Sequence, residues 1–228
     1  MLQTKHTQKI KKLTALAVFA ALAYAVHFVH VPVSFLNLDF KDVVMTVAGM
    51  YFGPISGLVV AILVPLLEFP TSETGVYGLI MNLLSSVTFV CVASVIYRFK
   101  RTLAGAIIGL SAAALSMTAV MMVANLYITP YYMGVPRSMV VDLIPKLLLP
   151  FNAIKSVLNA ALTLCLYKPM TTLLKKTGFG KQTSSNTAEE KQNMTNIRSI
   201  LVWIIGGTIA IVALAIIFFV LGGSIKFG

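Results

Sequence analysis

The sequence predicts an all-α membrane protein, in which a six-helix bundle is followed by a seventh, C-terminal transmembrane helix. Three observations support this fold class. The chain is 58% hydrophobic and only 11% charged, with a mean hydropathy of +0.89, whereas about 25% of residues are charged in an average soluble domain. Apolar runs long enough to cross a bilayer as helices recur along the chain. Basic residues cluster between these runs. The composition argues against a water-soluble enzyme and against a disordered protein.

Five apolar runs have the length of a membrane helix or nearly so. They are Leu13–Val31, Val76–Tyr97, Leu103–Ile128, Leu147–Tyr167 and Ile200–Leu221. A further apolar segment, Val43–Phe69, is interrupted by Gly53 and Pro54. Because proline breaks helices and Gly-Pro favours a turn, this segment is either one kinked helix or two short helices that meet at the dipeptide.

The basic residues decide between these two alternatives. They form three clusters, at residues 5–12, 98–101 and 168–181, and lysine and arginine are in excess in the cytoplasmic loops of membrane proteins. A single helix over 43–69 would place the second cluster on the opposite side from the first, whereas a hairpin places all three on one side. The sequence therefore predicts the hairpin, with six helices up to Lys176, a cytoplasmic N-terminus and a location in the plasma membrane. The net charge of +11 then reflects topology and not a nucleic-acid partner.

The chain divides into three parts. Residues 1–176 are the predicted substrate-binding membrane domain. Residues 177–198 are polar and show no apolar periodicity, so they predict a cytoplasmic linker. Residues 199–228 contain the additional transmembrane helix, which would place the C-terminus on the outer side.

Polar residues at membrane depth are costly and are therefore candidates for function. Asn152, Lys155 and Asn159 are spaced three and four apart in the sixth helix, so they lie on one helical face. Lys155 is about 12 Å below the helix start at a rise of about 1.5 Å per residue. A ligand contact is one interpretation. The alternative is a lysine that extends to the interface or pairs with Glu68 or Asp39.

The outer loop before the second helix alternates apolar and acidic residues, over Ser34–Asp42. Such a loop could cap an outward-facing cavity, with Phe35 or Phe40 stacked on a planar ligand. The alternative is an interfacial loop with aromatic anchors, in which Asp39 or Asp42 caps the following helix.

Weaker candidates for ligand contact are Asn82 in the fourth helix and Asn125 near the outer end of the fifth. Tyr131 and Tyr132 follow in the predicted next loop. Single asparagines in a bundle also serve as contacts between helices, and tyrosines near helix ends are common at the membrane interface.

Small residues recur every four positions in two helices. Ala17, Ala21 and Ala25 do so in the first helix, and Gly105, Gly109 and Ala113 in the fifth. Such stripes allow helices to approach closely. They predict either packing within the bundle or docking of another membrane subunit.

The sequence lacks the motifs of the enzyme classes that act on nucleotides, peptides or esters. It contains no Gly-x-x-x-x-Gly-Lys-Ser/Thr loop, no His-Glu-x-x-His and no Gly-x-Ser-x-Gly. His27 and His30 have no cysteine or carboxylate at metal-ligand spacing and are predicted to be interfacial. We therefore expect neither an enzyme nor a resident cofactor or metal.

Four segments together resemble one family of transport proteins. They are Phe35–Asp42, Tyr51–Gly57, Leu148–Lys155 and Tyr167–Pro169. In these segments the chain resembles the riboflavin-binding S-components of energy-coupling factor (ECF) transporters, and the likeness extends over about residues 10–176. The linker and the seventh helix depart from the six-helix pattern of that family.

The resemblance implies a membrane protein that binds riboflavin from the extracellular side. Uptake would be driven by a separate module of one membrane T-component and two cytoplasmic ATPases. It further implies roles for individual residues. Asn152 and Lys155 would form hydrogen bonds with the flavin, and Leu38, Asp39 and Phe40 would line or cover it. Glu68 and Asn125 would make further contacts with the flavin. Ala17 and Ala21 would face the T-component. The alternatives are an S-component for FMN or another vitamin, and a membrane assembly subunit without transport function.

Overall fold

The computed structural model describes residues 2–72 and 74–176, together with 206–209, 211–213, 215–216 and 226–227. The helices are α1 Leu2–His27, α2 Lys41–Phe52, α3 Pro54–Glu68, α4 Gly75–Phe99, α5 Leu103–Met133, α6 Arg137–Leu143 and α7 Leu149–Lys176. The predicted linker 177–198 lies outside the described residues, as does most of the predicted seventh span. A mostly helical fold is confirmed.

Five segments within these elements are long and apolar enough to cross a membrane. They are Thr7–His27, Pro54–Thr71, Gly75–Phe99, Leu103–Met133 and Arg137–Tyr167. The remaining helix of the predicted six-helix bundle is α2, which is shorter than the others. Its 12 residues reach about 18 Å, less than the bilayer core of about 30 Å. Ten consecutive residues of α2, Lys41 to Met50, are buried, so this short helix lies inside the bundle.

The predicted break at Gly53 and Pro54 is confirmed. Helix α2 ends at Phe52 and α3 begins at Pro54, where a proline is tolerated because the first helical N–H groups have no intrahelical partner. Gly53 has φ 101° and ψ 163°, a conformation that is essentially restricted to glycine. The two helices therefore fold back on each other as a hairpin.

Two glycines allow the arms of this hairpin to pack closely. A Cβ atom built on Gly57 would lie 2.7 Å from the Cα of Gly49 and 2.9 Å from a methyl group of Val90 in α4. These separations are too short for carbon atoms in contact. The absence of side chains at Gly49 and Gly57 thus brings α2, α3 and α4 together.

The predicted first span extends too far. The chain leaves the helix at His27 and forms strand β1 (Val29–Val33), which pairs antiparallel with β2 (Leu36–Asp39) in a register that sets His30 opposite Asp39. β-Branched residues favour a strand and Pro32 cannot continue a helix. The backbone of Lys226–Phe227 (β3) adds to the other edge of β1. The outer loop of the sequence prediction is thus a β-hairpin.

The predicted sixth span is preceded by helical chain and not by a loop. Helix α6 continues through a π-helical stretch, Ile144–Leu148, into α7. Pro145 has no N–H to donate, so a regular α-helical bond cannot form there, and the backbone widens locally.

The two small-residue stripes have different surroundings. Gly105, Gly109 and Ala113 are buried in α5, where a Cβ on Gly109 would lie 3.0 Å from the backbone oxygen of Ala93 in α4. This stripe therefore serves packing within the bundle. Ala17, Ala21 and Ala25 are exposed along one face of α1.

Candidate functional site

A cavity of about 610 Å³ opens where the β-hairpin meets the ends of five helices. Its walls come from the last residues of α1, α3 and α5 and the first residues of α4 and α7, with the hairpin beside them. The volume lies within the usual range of about 300–1,000 Å³ for small-molecule sites. The mixture of aromatic, amide and charged side chains around it is suited to a planar ligand with polar edges.

Most of the predicted ligand contacts meet at this cavity. Those that line it are Asp39, Glu68, Asn82, Asn125, Asn152 and Lys155. Leu38 and Phe40 do not. Leu38 is fully buried beside Val33 and Phe151, and Phe40 packs against the same cluster. The alternation of side chains along β2 explains this, because Leu38 and Asp39 point to opposite faces of the hairpin.

Two asparagines are held in place by their own helices. The side-chain amide of Asn152 donates to the carbonyl oxygen of Leu148 over 2.8 Å, and that of Asn125 donates to Met121 over 2.7 Å. Thr129 donates a 2.9 Å bond to the amide oxygen of Asn125. These bonds fix both side chains at the cavity wall, and the oxygen of Asn152 retains capacity to accept a hydrogen bond.

Asp39 and Lys155 form an ion pair at the cavity. The ammonium group of Lys155 lies 3.3 Å from Asp39 Oδ2, and that of Lys41 lies 3.6 Å from the same oxygen. Burial disfavours ionisation of Asp39, but the ammonium charges of Lys155 and Lys41 outweigh it and lower the pKa of this hairpin carboxyl group from 3.8 to about 2. Asp39 is therefore ionised at neutral pH. Lys155 both pairs with a carboxylate and lines the cavity, so the structure combines the two interpretations drawn from the sequence.

The buried lysine of α2 links the hairpin to the end of α3. Lys41 donates a hydrogen bond to Oε2 of Glu68, and both side chains are almost completely buried. The other oxygen of this carboxylate, Oε1, lies 3.5 Å from Nδ1 of His27. Since a buried charge is tolerated only with a partner, Lys41, Asp39 and Glu68 hold one another in position beneath the cavity.

A second carboxylate of the loop lies deeper in the bundle. Asp42 accepts a 2.6 Å hydrogen bond from Ser86 in α4 and a 3.3 Å bond from Asn159 in α7. The prediction that Asp39 or Asp42 caps α2 is wrong, because Phe40 occupies the N-cap position without a side-chain bond. Asn159, which shares a helical face with Lys155, binds Asp42 and does not line the cavity.

An aromatic wall faces the cavity beside the hairpin. The ring of Tyr132 lies 6.5 Å from that of Phe35 and 6.4 Å from that of Tyr77, between ring centroids. All three side chains line the cavity. Tyr132 was predicted in a loop but belongs to the last turn of α5. The wall joins the hairpin to α4 and α5 and can stack against a flat ring system.

The sequence prediction missed two residues of the site. His27 and His30 were assigned to the membrane interface, but both side chains line the cavity. Their rings are stacked with centroids 6.2 Å apart. The signal that could have identified them is their position, since they immediately precede the loop that was predicted to cover the ligand.

The arrangement is suited to binding a small molecule. In the part of the chain that the structure describes, no group of three or more histidine, cysteine, aspartate or glutamate side chains could hold a metal ion. The charged groups of the site form ion pairs, and the amide side chains are fixed by hydrogen bonds. Such preformed polar groups around an apolar wall give orientation and selectivity to a bound small molecule.

Comparison with known proteins gives consistent matches. Residues 11–167 match the model of the family described as ECF transporter, substrate-specific component. The chain is 30% identical over 182 residues to the riboflavin transporter RibU of Staphylococcus aureus (strain TCH60), covering 75% of this chain and 96% of that relative. It is 24% identical over 163 residues to the riboflavin transporter FmnP of Bacillus subtilis (strain 168), covering 65% and 86% respectively.

A solved structure of the S component of a bacterial ECF transporter has the same fold. The superposition gives a TM-score of 0.64 at 30% sequence identity and covers 73% of this chain and 99% of the other. The family match ends at residue 167, before the polar segment at 177–198.

Proposed function

This chain belongs to the substrate-specific components of ECF transporters, and on that premise we propose that the ligand it binds for uptake is riboflavin. The family is one of transporter components and not of enzymes. The protein is a multi-pass membrane protein and the substrate-binding component of a vitamin transporter.

The cavity carries the assignment of the ligand. Isoalloxazine is a large flat ring system with hydrogen-bonding edges, and the cavity offers an aromatic wall opposite fixed amide and ammonium groups. Asn125, Asn152 and Lys155 would bind the polar edge, while Phe35 and Tyr132 would contact the ring face. Asp39, Glu68 and Asn82 complete the lining. Leu38 and Phe40 would act indirectly, by packing beneath the hairpin.

The ligand would enter from the extracellular side. Helices α1 and α7 have their cavity ends at His27 and Phe151, so their basic ends lie away from the cavity. The same holds for the basic connection after α4, at residues 98–101. Because basic loops face the cytoplasm, the cavity would face outwards in the plasma membrane and the N-terminus would be cytoplasmic.

A separate ATPase module would drive the release of the ligand. Nucleotide-binding loops are absent from the sequence, so ATP hydrolysis would come from two cytoplasmic ATPases coupled through a membrane T-component. The exposed face of α1 with Ala17, Ala21 and Ala25 would contact that T-component, since small side chains allow close helix approach.

The extent of the family match, residues 11–167, supports a division of the chain into three parts. We infer that residues 1–176 form the substrate-binding membrane domain, that 177–198 form a cytoplasmic linker and that 199–228 add a transmembrane helix. The end of the family match at residue 167 supports this division.

Titration of the purified full-length chain with riboflavin tests the assignment. We expect yellow flavin absorbance to copurify with the protein, and we expect the fluorescence of added riboflavin to be quenched to saturation at one ligand per chain. Thiamine and biotin in excess are controls and should not compete. Binding of another vitamin in place of riboflavin would indicate a different substrate. The absence of any vitamin binding would favour an assembly subunit.

A further inference from the structure

Two histidines on the cavity wall have ring nitrogens without partners. The Nδ1 atoms of His27 and His30 are buried and accept or donate no hydrogen bond within the described residues. His27 Nδ1 approaches Glu68 Oε1 only to 3.5 Å, which is long for a hydrogen bond. Both histidines line the same cavity, at the junction of α1 and β1.

Two carboxylate oxygens beside them are also unpartnered. Glu68 Oε2 is bound by Lys41, but Glu68 Oε1 has no hydrogen-bond partner in the described part of the chain. Asp39 Oδ2 is bound by Lys155, and its Oδ1 is likewise unpartnered. Both side chains are more than nine-tenths buried, with exposures of 2% and 4%. Buried polar atoms in proteins normally have partners, so four such atoms around one cavity indicate contact with a polar ligand group.

These atoms define the chemistry of that group. A carboxylate oxygen only accepts hydrogen bonds, whereas a neutral imidazole has one donor nitrogen and one acceptor nitrogen. Hydroxyl groups both donate and accept, so a polyhydroxyl chain can satisfy all four atoms. A phosphate monoester carries about 1.5–2 negative charges and only accepts strongly. It would face Asp39 and Glu68, with Lys155 as the single lysine or arginine among the described lining residues.

The side chains with unpartnered atoms lie apart from the ring site, the amide side chains that would bind the polar edge of the flavin ring. His27, His30 and Glu68 belong to α1, β1 and the end of α3, whereas Asn125 and Asn152 belong to α5 and α7. Helices α1 and α3 pack on each other, as do α5 and α7. The cavity therefore has one wall with amide groups and another with histidine and carboxylate groups, and Asp39 and Lys155 pair between them.

We propose that His27, His30 and Glu68 form a subsite that binds the hydroxyl-bearing side chain of the flavin. This inference rests on the proposed riboflavin function. The subsite fixes the orientation of the ligand and disfavours a phosphate at the end of its side chain.

Three flavins separate this subsite from the ring site. Lumiflavin has the ring system without the polyhydroxyl chain, riboflavin has both, and FMN adds a phosphate. We expect His27→Ala and His30→Ala to weaken riboflavin binding by about tenfold each, the loss that corresponds to about 1.4 kcal/mol, and to change lumiflavin binding by less than about twofold. Glu68→Gln keeps the shape and removes a charge, so FMN should gain affinity relative to riboflavin. Fluorescence quenching measures all three ligands, and the exposed Lys146→Ala is the control.

The outcomes distinguish the two proposals. If the histidine variants weaken riboflavin and lumiflavin equally, or if FMN binds the wild-type chain as tightly as riboflavin, the subsite is wrong while the riboflavin function stands. If the wild-type chain binds none of the three flavins, the riboflavin function itself is wrong. Because Glu68 pairs with buried Lys41, its variant is first checked for folding by size-exclusion chromatography, and the histidine variants decide the question if it fails.

Discussion

Lys155 is the residue at which ion pairing and ligand binding coincide. Its ammonium group lies 3.3 Å from Asp39 and lines the cavity. The lysine thus neutralises a buried carboxylate and can still donate further hydrogen bonds, because an ammonium group has three N–H donors. A ligand carbonyl oxygen at the cavity wall would be a suitable acceptor.

Replacement of this lysine should reduce riboflavin affinity without unfolding the protein. We expect Lys155→Ala to weaken binding about 10- to 100-fold, since a hydrogen bond to a charged group contributes about 1.5–3 kcal/mol. Lys41 stays within 3.6 Å of Asp39, so this carboxylate keeps a cationic partner, which it shares with Glu68. Riboflavin fluorescence quenching measures the affinity, with the exposed Lys146→Ala as the matched control. Equal affinity of Lys155→Ala and the wild type would contradict the role of Lys155 in binding.

The buried carboxylate of Asp42 should matter for stability more than for binding. Ser86→Ala removes the donor of its 2.6 Å hydrogen bond, which should lower the free energy of unfolding by about 1–3 kcal/mol. Ser94→Ala is the matched control, since Ser94 is in the same helix and its buried hydroxyl has no partner among the described residues. Thermal unfolding in detergent measures both. A smaller loss for Ser86→Ala than for Ser94→Ala would show that the bond to Asp42 does not stabilise the fold.

Sequence spacing predicted which residues share a helical face but not which partners they have. Asn152, Lys155 and Asn159 share a face as predicted, yet only the first two line the cavity. Asn159 binds Asp42, which is 117 positions away in the chain. Such pairs depend on how helices that are distant in the sequence pack together, and local periodicity does not contain this information.

Among the helical elements, the α2–α3 hairpin depends most on residues without side chains. Gly53 provides the turn through a backbone conformation with φ 101°, and Gly49 and Gly57 let the two helices touch. Because Asp39 precedes α2, Lys41 begins it and Glu68 ends α3, the closeness of the two helices determines whether the ion pairs beneath the cavity can form.

A methyl group at this contact should therefore destabilise the fold. In Gly57→Ala the new Cβ would meet the Gly49 backbone at 2.7 Å, and overpacking of this kind costs about 1–3 kcal/mol. Gly207→Ala is the control, because a Cβ there has nothing within 4 Å. Thermal unfolding temperatures compare the variants. If Gly57→Ala is as stable as Gly207→Ala, the close contact does not limit helix packing.

The elements that were predicted well are those with a strong one-dimensional signal. The break at Gly53–Pro54 was deduced from the distribution of charge, and the long apolar helices from their composition. The β-hairpin was missed because Val29–Val33 is as apolar as the helix that precedes it, so hydropathy alone continued the span. The π-helical stretch at Ile144–Leu148 gives no signal beyond Pro145, which is equally compatible with a turn.

At the scale of the whole molecule, the cavity lies at one end of the bundle and the basic residues lie at the other. Described residues from the C-terminal part of the chain, beyond residue 198, contact the end of the bundle that holds the cavity. Ala213 packs in the cluster that includes Phe151 and Leu38, and β3 pairs with β1. In each of these contacts the C-terminal partner lies outside the residues matched by the family model, 11–167.

Removal of the C-terminal part should therefore affect stability and leave binding largely intact. We expect a chain that ends at Lys176 to bind riboflavin within about threefold of the full-length affinity, a difference of less than about 1 kcal/mol. Its unfolding temperature should be lower, because the contacts of Ala213 and β3 are lost. Parallel titration and thermal unfolding of both chains measure these effects. Loss of riboflavin binding by a folded truncated chain would place residues 199–228 within the binding domain.

Helix α2 is poorly suited to enter a bilayer by itself during synthesis. It has 12 residues, too few to cross the bilayer core, and it begins with the charged residues Lys41 and Asp42, which are costly to place in a membrane without partners. The partner that neutralises Lys41 is Glu68 at the far end of α3, which leaves the ribosome later. We therefore expect α2 to enter the membrane together with α3, as one hairpin. On this expectation, the charges beneath the cavity would give biogenesis an order, in which the binding site begins to assemble while the chain is still being translated.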